Sequence, residues 1–357
     1  MQGAVGAILA AVVGLCLGAA IEPGAPTAIP GASLYPRLIE VRSNAALKHR
    51  LLLATLAGIL QSRDDGRSWS PLSAVPQPAG TTERCCGVIY ELPRRVGALA
   101  AGSFLYAATY HLGPRTTIRV YRSDDGVTWH PHSELAAGGP LGKGVWEPQF
   151  DLARDGALVV FWSDETDACC SQRLRRARSY DGANWVDRSD VVRGRDPADR
   201  PGMATTARLR DGRTAMTYEV CGQRRCAVHI RYSADGWSYG DPLDPGLRIE
   251  TAAGQHLEHA PTVAASGARL FVVGQMMVEA NGAASPLNGR VVVTGDGRGP
   301  WQTIATPVPV PDAYDNYCPN YASAMLPRAL GRALLMVASA YDADKHCRAY
   351  GARMMLR

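Results

Sequence analysis

Apolar runs of about six to eight residues recur along the chain, each broken by Gly, Asp or Asn. They read HRLLLATL (49–56), SFLYAATY (103–110), ALVVFWS (157–163), RTAMTYEV (213–220), RLFVVGQMM (269–277) and RALLMVASAY (332–341). Runs of this length, bounded by turn formers, predict strands joined in hairpins. A second series precedes them and starts at a proline: YPRLIEV (35–41), EPQFDLA (147–153), RPGMATTARL (200–209), APTVAAS (260–266) and CPNYASAML (318–326). The first two prolines stand 112 residues apart, two periods, and CCGVIYELP (85–93) fills the gap without its proline. A proline at the first residue of a strand is tolerated because no ladder bond is needed there.

A third series runs in phase with these. SRDDGRSW (62–69), SDDGVTW (123–129), SYDGANW (179–185), SADGWSY (233–239) and the degenerate TGDGRGPW (294–301) share a hydroxyl, an Asp, a Gly and a closing aromatic. Their aspartates, Asp64, Asp125, Asp181, Asp235 and Asp296, lie 61, 56, 54 and 61 residues apart. Each segment has the chemistry of a tight turn: Asp accepts from local backbone N–H groups and Gly tolerates positive φ. These aspartates therefore read as structural. A unit of this length holds a four-stranded antiparallel sheet, and radial repetition of such sheets is a β-propeller. From Ser33 to Arg357 there is room for six units of about 54 residues. The expectation is all-β: a six-bladed propeller with four-stranded antiparallel blades, the chain ends sharing one blade to close the ring.

Composition changes this picture little. The 357 residues are 46% hydrophobic and 20% charged, which excludes a disordered chain. Length alone suggests two domains at roughly 150 residues each, but the repeat makes residues 33–357 one ring. A net charge of +5, from 38 basic and 33 acidic residues, is too even for nucleic-acid binding without a basic patch.

Residues 4–20 are apolar and uncharged and end in small residues, as in a secretory signal peptide cleaved near Ala20, with 21–32 as a short linker. An uncleaved membrane anchor is the other reading of so short a segment. Secretion would place the eight remaining cysteines in an oxidising compartment. Cys221–Cys226 and Cys318–Cys347 are the expected pairings; Cys85–Cys86 and Cys169–Cys170 could join each other. Buried free thiols are the alternative.

In a propeller the start of each inner strand and the end of the second strand reach the same face near the axis. The first set offers Arg37, Trp146, Glu147, Arg200, His259, Tyr317 and Asn320. The second offers Tyr110, His111, Asp164, Glu165, Tyr218, Glu219, Gln275, Tyr341 and Asp342. Carboxylates, arginines and aromatics at one mouth suit a sugar. Glu147 and Glu219, from neighbouring units, supply the carboxyl pair that glycoside hydrolysis uses.

The five Asp-Gly turns resemble the Asp-box (BNR) repeats of sialidases and related secreted propellers. YPRLIEV, CCGVIYELP, WEPQFDLARDGALVVFWSDET and RPGMATTARLRDGRTAMTYEVCG more closely resemble glycoside hydrolase family 93, over roughly residues 33–350. The fourth turn departs by ending in Tyr239, and the fifth is degenerate. The resemblance implies a six-bladed propeller acting as a retaining exo-α-1,5-L-arabinanase that releases arabinobiose. It makes Glu147 of the WEP segment the acid/base and Glu219 of TYE the nucleophile, with the order of roles open. Retention requires carboxyl groups about 5–5.5 Å apart. Arg200 or Arg37 could keep Glu219 ionised. The resemblance implies no metal or organic cofactor, an oligo- or polysaccharide as the partner, a secreted location and a monomer.

An exo-sialidase is the competing enzyme. It needs three converging arginines and a Tyr–Glu nucleophile, yet Tyr218 and Glu219 are adjacent on a strand and point to opposite faces. A non-catalytic carbohydrate-binding propeller is the reading from another class.

Overall fold

A computed structural model describes residues 24–356, so the expected signal segment, 1–20, lies outside the described residues. Six antiparallel sheets follow one another along the chain. Blade I is built from Arg37–Glu40, Leu51–Ala54, Ile59–Ser62 and Ser70–Ser73. Blade II has Glu83–Glu91, Phe104–Leu112, Arg115–Ser123 and His130–Gly138. Blade III has Val145–Leu152, Leu158–Asp164, Arg173–Ser179 and Val186–Arg193. Blade V has Thr262–Ser266, Arg269–Val273, Val291–Gly295 and Gln302–Ala305. Blade VI takes Ala324–Arg328, Ala333–Tyr341 and Cys347–Met355 from the C-terminal end and Thr27–Ala28 from the N-terminal end. The ring therefore closes as expected, with Ile29 N–H donating to the Ala349 carbonyl beyond the short strand.

Blade IV departs from the pattern. Its first three strands are Arg200–Arg208, Thr214–Cys221 and Ala227–Ser233, but only Leu247–Arg248 pairs as an outer strand. Pro242 and Pro245 lie in the preceding segment, where a missing N–H cuts the ladder short. The sheet extends instead through His256–Glu258 to Met276–Val278.

The second strands read as continuous apolar runs because blades pack on both faces of them. In Phe104–Leu112 the first seven residues are all buried. Each contact between neighbouring blades holds its own apolar cluster, such as Leu105, Phe150 and Trp162 between II and III, or Phe161, Met216 and Tyr218 between III and IV. A further cluster, Tyr35, Met203, Ala260 and Ala322, lies on the axis.

The Asp-Gly segments form the turns between third and fourth strands. Ser62, Ser123, Ser179 and Ser233 donate their hydroxyls to the Asp two residues on, at 2.8, 2.9, 2.8 and 2.7 Å. Backbone N–H groups then donate to the same carboxylates, and Asp64 and Asp125 are held down to about 2, by Ser68 in the first case and against the opposing effect of burial in the second. Two closing tryptophans tie their turns to the preceding blade: Trp129 donates to Ser73 Oγ at 3.1 Å and Trp185 to Ser133 Oγ at 3.0 Å. In the degenerate fifth segment Asp296 caps only Arg298 N–H.

Two expectations need correction. Cys85–Cys86 and Cys169–Cys170 do not join each other; each adjacent pair closes on itself, alongside the expected Cys221–Cys226 and Cys318–Cys347. The prolines do not share one register either. Pro36 and Pro261 precede their strands, Pro201 is a second residue, and Pro148 sits inside Val145–Leu152. It is accommodated there because the ladder skips from Trp146 to Gln149, leaving 147 and 148 unpaired.

Candidate functional site

The inner strands of blades II, III and IV each carry a bulge near the start, between Cys85 and Val88, Trp146 and Gln149, and Gly202 and Thr205. The first bulged residue, Cys86, Glu147 and Met203 respectively, takes the left-handed conformation, with φ of 61°, 58° and 55°. Tyr35, Ala260 and Ala322 bring positive φ to the same region in blades I, V and VI, at 53°, 44° and 52°. Such backbone is uncommon for these residue types and clusters at sites that re-aim side chains. Here it turns Tyr35, Met203, Ala260 and Ala322 onto the axis, where they plug the channel. Glu147 is the charged member of the set.

Above the plug lies a cavity of about 480 Å³ whose wall includes Tyr35, Trp146, Glu147, Arg200, Glu219 and Tyr321. Glu147 Oε2 accepts from Ser163 Oγ at 2.6 Å and from Met203 N–H at 3.2 Å. Glu219, 8% exposed, accepts from Ala260 N–H at 2.6 Å. Burial raises both carboxyl groups. Glu219 rises to about 8, through burial first and the charge of Glu147 second. For Glu147 the same burial is opposed by the Ser163 and Met203 hydrogen bonds. The pair is thus two carboxyl groups at close quarters, one of which keeps a proton near neutrality.

No sequence-family model and no curated protein sequence matches the chain. Solved structures do. A Penicillium chrysogenum α-L-arabinanase complexed with arabinobiose is 25% identical, with a TM-score of 0.74 over 92% of this chain and 94% of that one. A family 93 α-L-arabinofuranosidase of Fusarium graminearum with arabinobiose is 21% identical, with a TM-score of 0.75 over 93% and 98%. A mutant of that Fusarium enzyme, in complex with an iminosugar inhibitor, reaches a TM-score of 0.77 at 21% identity over 93% and 98%. The chain has the fold of that family 93 enzyme.

In this propeller, Trp146, Arg200 and Tyr317 join the two glutamates in the cavity wall, Tyr317 at the rim and 74% exposed. Arg200 does not reach Glu219 as an ion-pair partner. It is paired with Glu165 and donates to Ser171 Oγ at 2.7 Å and Gln172 Oε1 at 2.8 Å. Burial pushes the Glu165 carboxyl up, but Arg200, Trp146 Nε1–H at 2.9 Å and Gly144 N–H hold it below its ordinary value. Arg37 lies on the other side of the plug: it stacks 4.0 Å from the Tyr35 ring centre and lines a second cavity. It does not line the cavity of the glutamates, although its charge still favours the ionised form of Glu147. The cavity wall holds Arg84 and Arg200, each with carbonyl or carboxylate partners, and no third arginine among the described residues.

His259 stands beside Glu219, its Nδ1 3.8 Å from Oε2, and burial lowers its pKa so that the ring is neutral. Gln275 and Asn320 are buried braces. Gln275 Nε2 donates to the Pro319 carbonyl at 3.0 Å, and Asn320 Nδ2 to the Gly274 carbonyl at 3.0 Å, fixing the segment that carries Tyr317. Tyr341 donates to Asn316 Oδ1 at 2.8 Å on the same segment. Asp164 faces away, accepting from Trp162 Nε1–H at 3.1 Å and Thr166 N–H at 2.9 Å. Tyr218 points into the contact between blades III and IV, donating to the Pro245 carbonyl at 2.5 Å. Its opposition to Glu219 across the strand is as expected.

Sequence reasoning missed Tyr35 and Tyr321, whose phenols burial raises and which feel the charge of both glutamates. The signal for Tyr35 was available: Tyr35–Pro36 repeats the Glu147–Pro148 arrangement one step before a strand. It also missed the Cys85–Cys86 pair in the cavity wall.

Proposed function

We propose that the chain is a secreted, retaining exo-glycoside hydrolase that cleaves linear α-1,5-L-arabinan and releases arabinobiose, with Glu147 and Glu219 as its carboxyl pair. The observation that carries this reading is the pair itself: two buried carboxyl groups from neighbouring blades at the closed end of one cavity, with the charge of one raising the other. A cavity floored by the axial plug suits a chain end more than a chain middle. The arabinobiose bound in the Penicillium arabinanase supports the substrate class, and four disulfides suit an oxidising compartment.

Local electrostatics favour the order of roles opposite to the one the resemblance implies. Glu219, raised to about 8, holds the proton in the free enzyme and suits the acid/base. Glu147 is the readier to ionise, since Ser163 and Met203 donate to its carboxylate, and suits the nucleophile. In the first step Glu147 attacks the anomeric carbon while Glu219 gives its proton to the departing oxygen. In the second, ionised Glu219 takes a proton from water, whose oxygen displaces Glu147 from the same carbon. Arg200 and Glu165 hold Trp146 at the wall.

Purified protein incubated with debranched linear arabinan and with a fluorogenic sialoside tests the reading. Release of a disaccharide from arabinan is expected. Sialoside turnover without action on arabinan overturns it, as does oligosaccharide binding with no turnover of either.

A further inference from the structure

The Cys85–Cys86 disulfide is hard to explain as a support for the fold. A disulfide stabilises mainly by closing a loop of the unfolded chain, and the effect grows with loop length. Cys318–Cys347 spans 29 residues, whereas Cys85–Cys86 spans one. A bond between neighbours removes almost no chain freedom beyond its own peptide. Its position is informative instead. Both cysteines line the cavity that holds Glu147 and Glu219. Cys86 is the first bulged residue of its strand, the place that Glu147 takes in the next blade and Met203 in the one after, and the same positive φ turns all three toward the axis.

The chemistry of the wall points the same way. A disulfide has no polar hydrogen and carries two polarisable sulfurs, so it offers an apolar contact surface. Several polar groups of the cavity are held by one another, Glu165 by Arg200 and Glu147 by Ser163. Leu34, Tyr35 and Leu56 continue the apolar surface beside the cysteines. The backbone is also pressed close at this point: a Cβ on Gly87 would come within 2.0 Å of the Tyr106 hydroxyl, so the pair is seated on a rigid support. A bound sugar has apolar C–H faces as well as hydroxyls, and binding sites combine apolar contact with a few placed polar groups.

We propose that the Cys85–Cys86 disulfide is a sugar-packing wall of the cavity, lying against the C–H face of a bound glycosyl unit and setting affinity rather than rate. The proposal rests on the cavity being the glycosidase site described above.

The test is steady-state hydrolysis of linear arabinan by the unmodified chain and two double variants, each with a thermal melt. Cys85→Ser with Cys86→Ser puts hydroxyls on the wall and raises KM roughly fivefold, with kcat within about twofold. Cys85→Ala with Cys86→Met breaks the bond but keeps an apolar wall, using the residue that blade IV carries at this position. It holds KM within about twofold. A folded serine variant with unchanged KM overturns the proposal. So does an alanine–methionine variant whose KM rises as far as the serine variant's, because the bond and not its surface would then matter. If the serine variant does not fold, the alanine–methionine variant decides alone: a KM raised roughly fivefold or more overturns the proposal. Inactivity of the unmodified chain on arabinan overturns the functional reading instead.

Discussion

The channel has two ends, built by the same six inner strands, and they differ in one respect that matters. The cavity below the plug, of about 740 Å³, is lined by regular strand residues such as Leu38, Gln149, Asp151, Thr205, Arg208 and Thr262. Its buried acid, Asp151, is 8% exposed; burial raises its carboxyl, and Arg208 at 3.1 Å opposes the rise. The cavity above the plug is lined from bulges and strand ends, and there Arg200 is held by a third carboxylate, Glu165, and Arg84 by the Val75 carbonyl, leaving Glu147 and Glu219 to face each other's charge. A paired acid is structural; an acid raised by burial and by a like charge is poised to give up or take a proton. The difference comes from the backbone. Regular pleating alternates side chains about the channel, and the bulge breaks that alternation at the level of Glu147.

The largest expected effect contrasts the acids directly. Glu147→Gln or Glu219→Gln lowers kcat on linear arabinan by roughly a thousandfold or more, while Asp151→Asn at the other end leaves kcat within about twofold. Equal losses would show that the two ends are not chemically distinct.

A second measurement is the pH profile. If Glu219 must be protonated and Glu147 ionised, kcat/KM falls on the alkaline side as pH passes about 8, the value to which Glu219 is raised, and on the acid side as Glu147 takes up a proton. In Glu165→Gln, which frees Arg200 to approach the pair, the alkaline limb shifts to lower pH. Activity falls roughly tenfold, because more of Glu219 is then ionised.

Stability gives a third contrast, with the sign set by the raised carboxyl. The folded chain binds the Glu219 proton more tightly than the unfolded chain does, so no cost is felt below the ordinary carboxylate range. A cost grows as pH rises from there to about 8. Glu219→Gln therefore raises the denaturant midpoint at pH 8.5 by the equivalent of about 2–5 kcal/mol and leaves it nearly unchanged at pH 4. The smallest effect belongs to the turns. Asp125→Ala removes the acceptor for Val127 and Thr128 N–H and costs about 1 kcal/mol in thermal unfolding, with kcat unaltered.

The blades, the turns and both glutamates were legible in the sequence because each depends on local chemistry. A Ser-Asp-Gly-aromatic turn makes its hydrogen bonds within four residues, and an apolar run becomes a buried strand wherever it finds a neighbour. Closure by the N-terminal strand followed from counting units. Arg37 was misplaced for the opposite reason. Its side depends on where the backbone bulges, and no residue type announces that register. The same holds for Pro148, which marks a bulge and not a strand start.

What the sequence determined by itself is the ring: its all-β class, its six units, its turns and the two carboxylates delivered to one face. What only the tertiary structure decided is the state of that face. The hydrogen bonds to the glutamates come from Ser163, Met203 and Ala260, residues far apart in the chain that donate to one carboxylate or the other. The closed floor depends on four residues from four blades meeting on the axis. Closing each adjacent cysteine pair on itself depends on the backbone around it. Periodicity is a property of the chain taken locally, while desolvation and charge are sums over whatever the fold brings near.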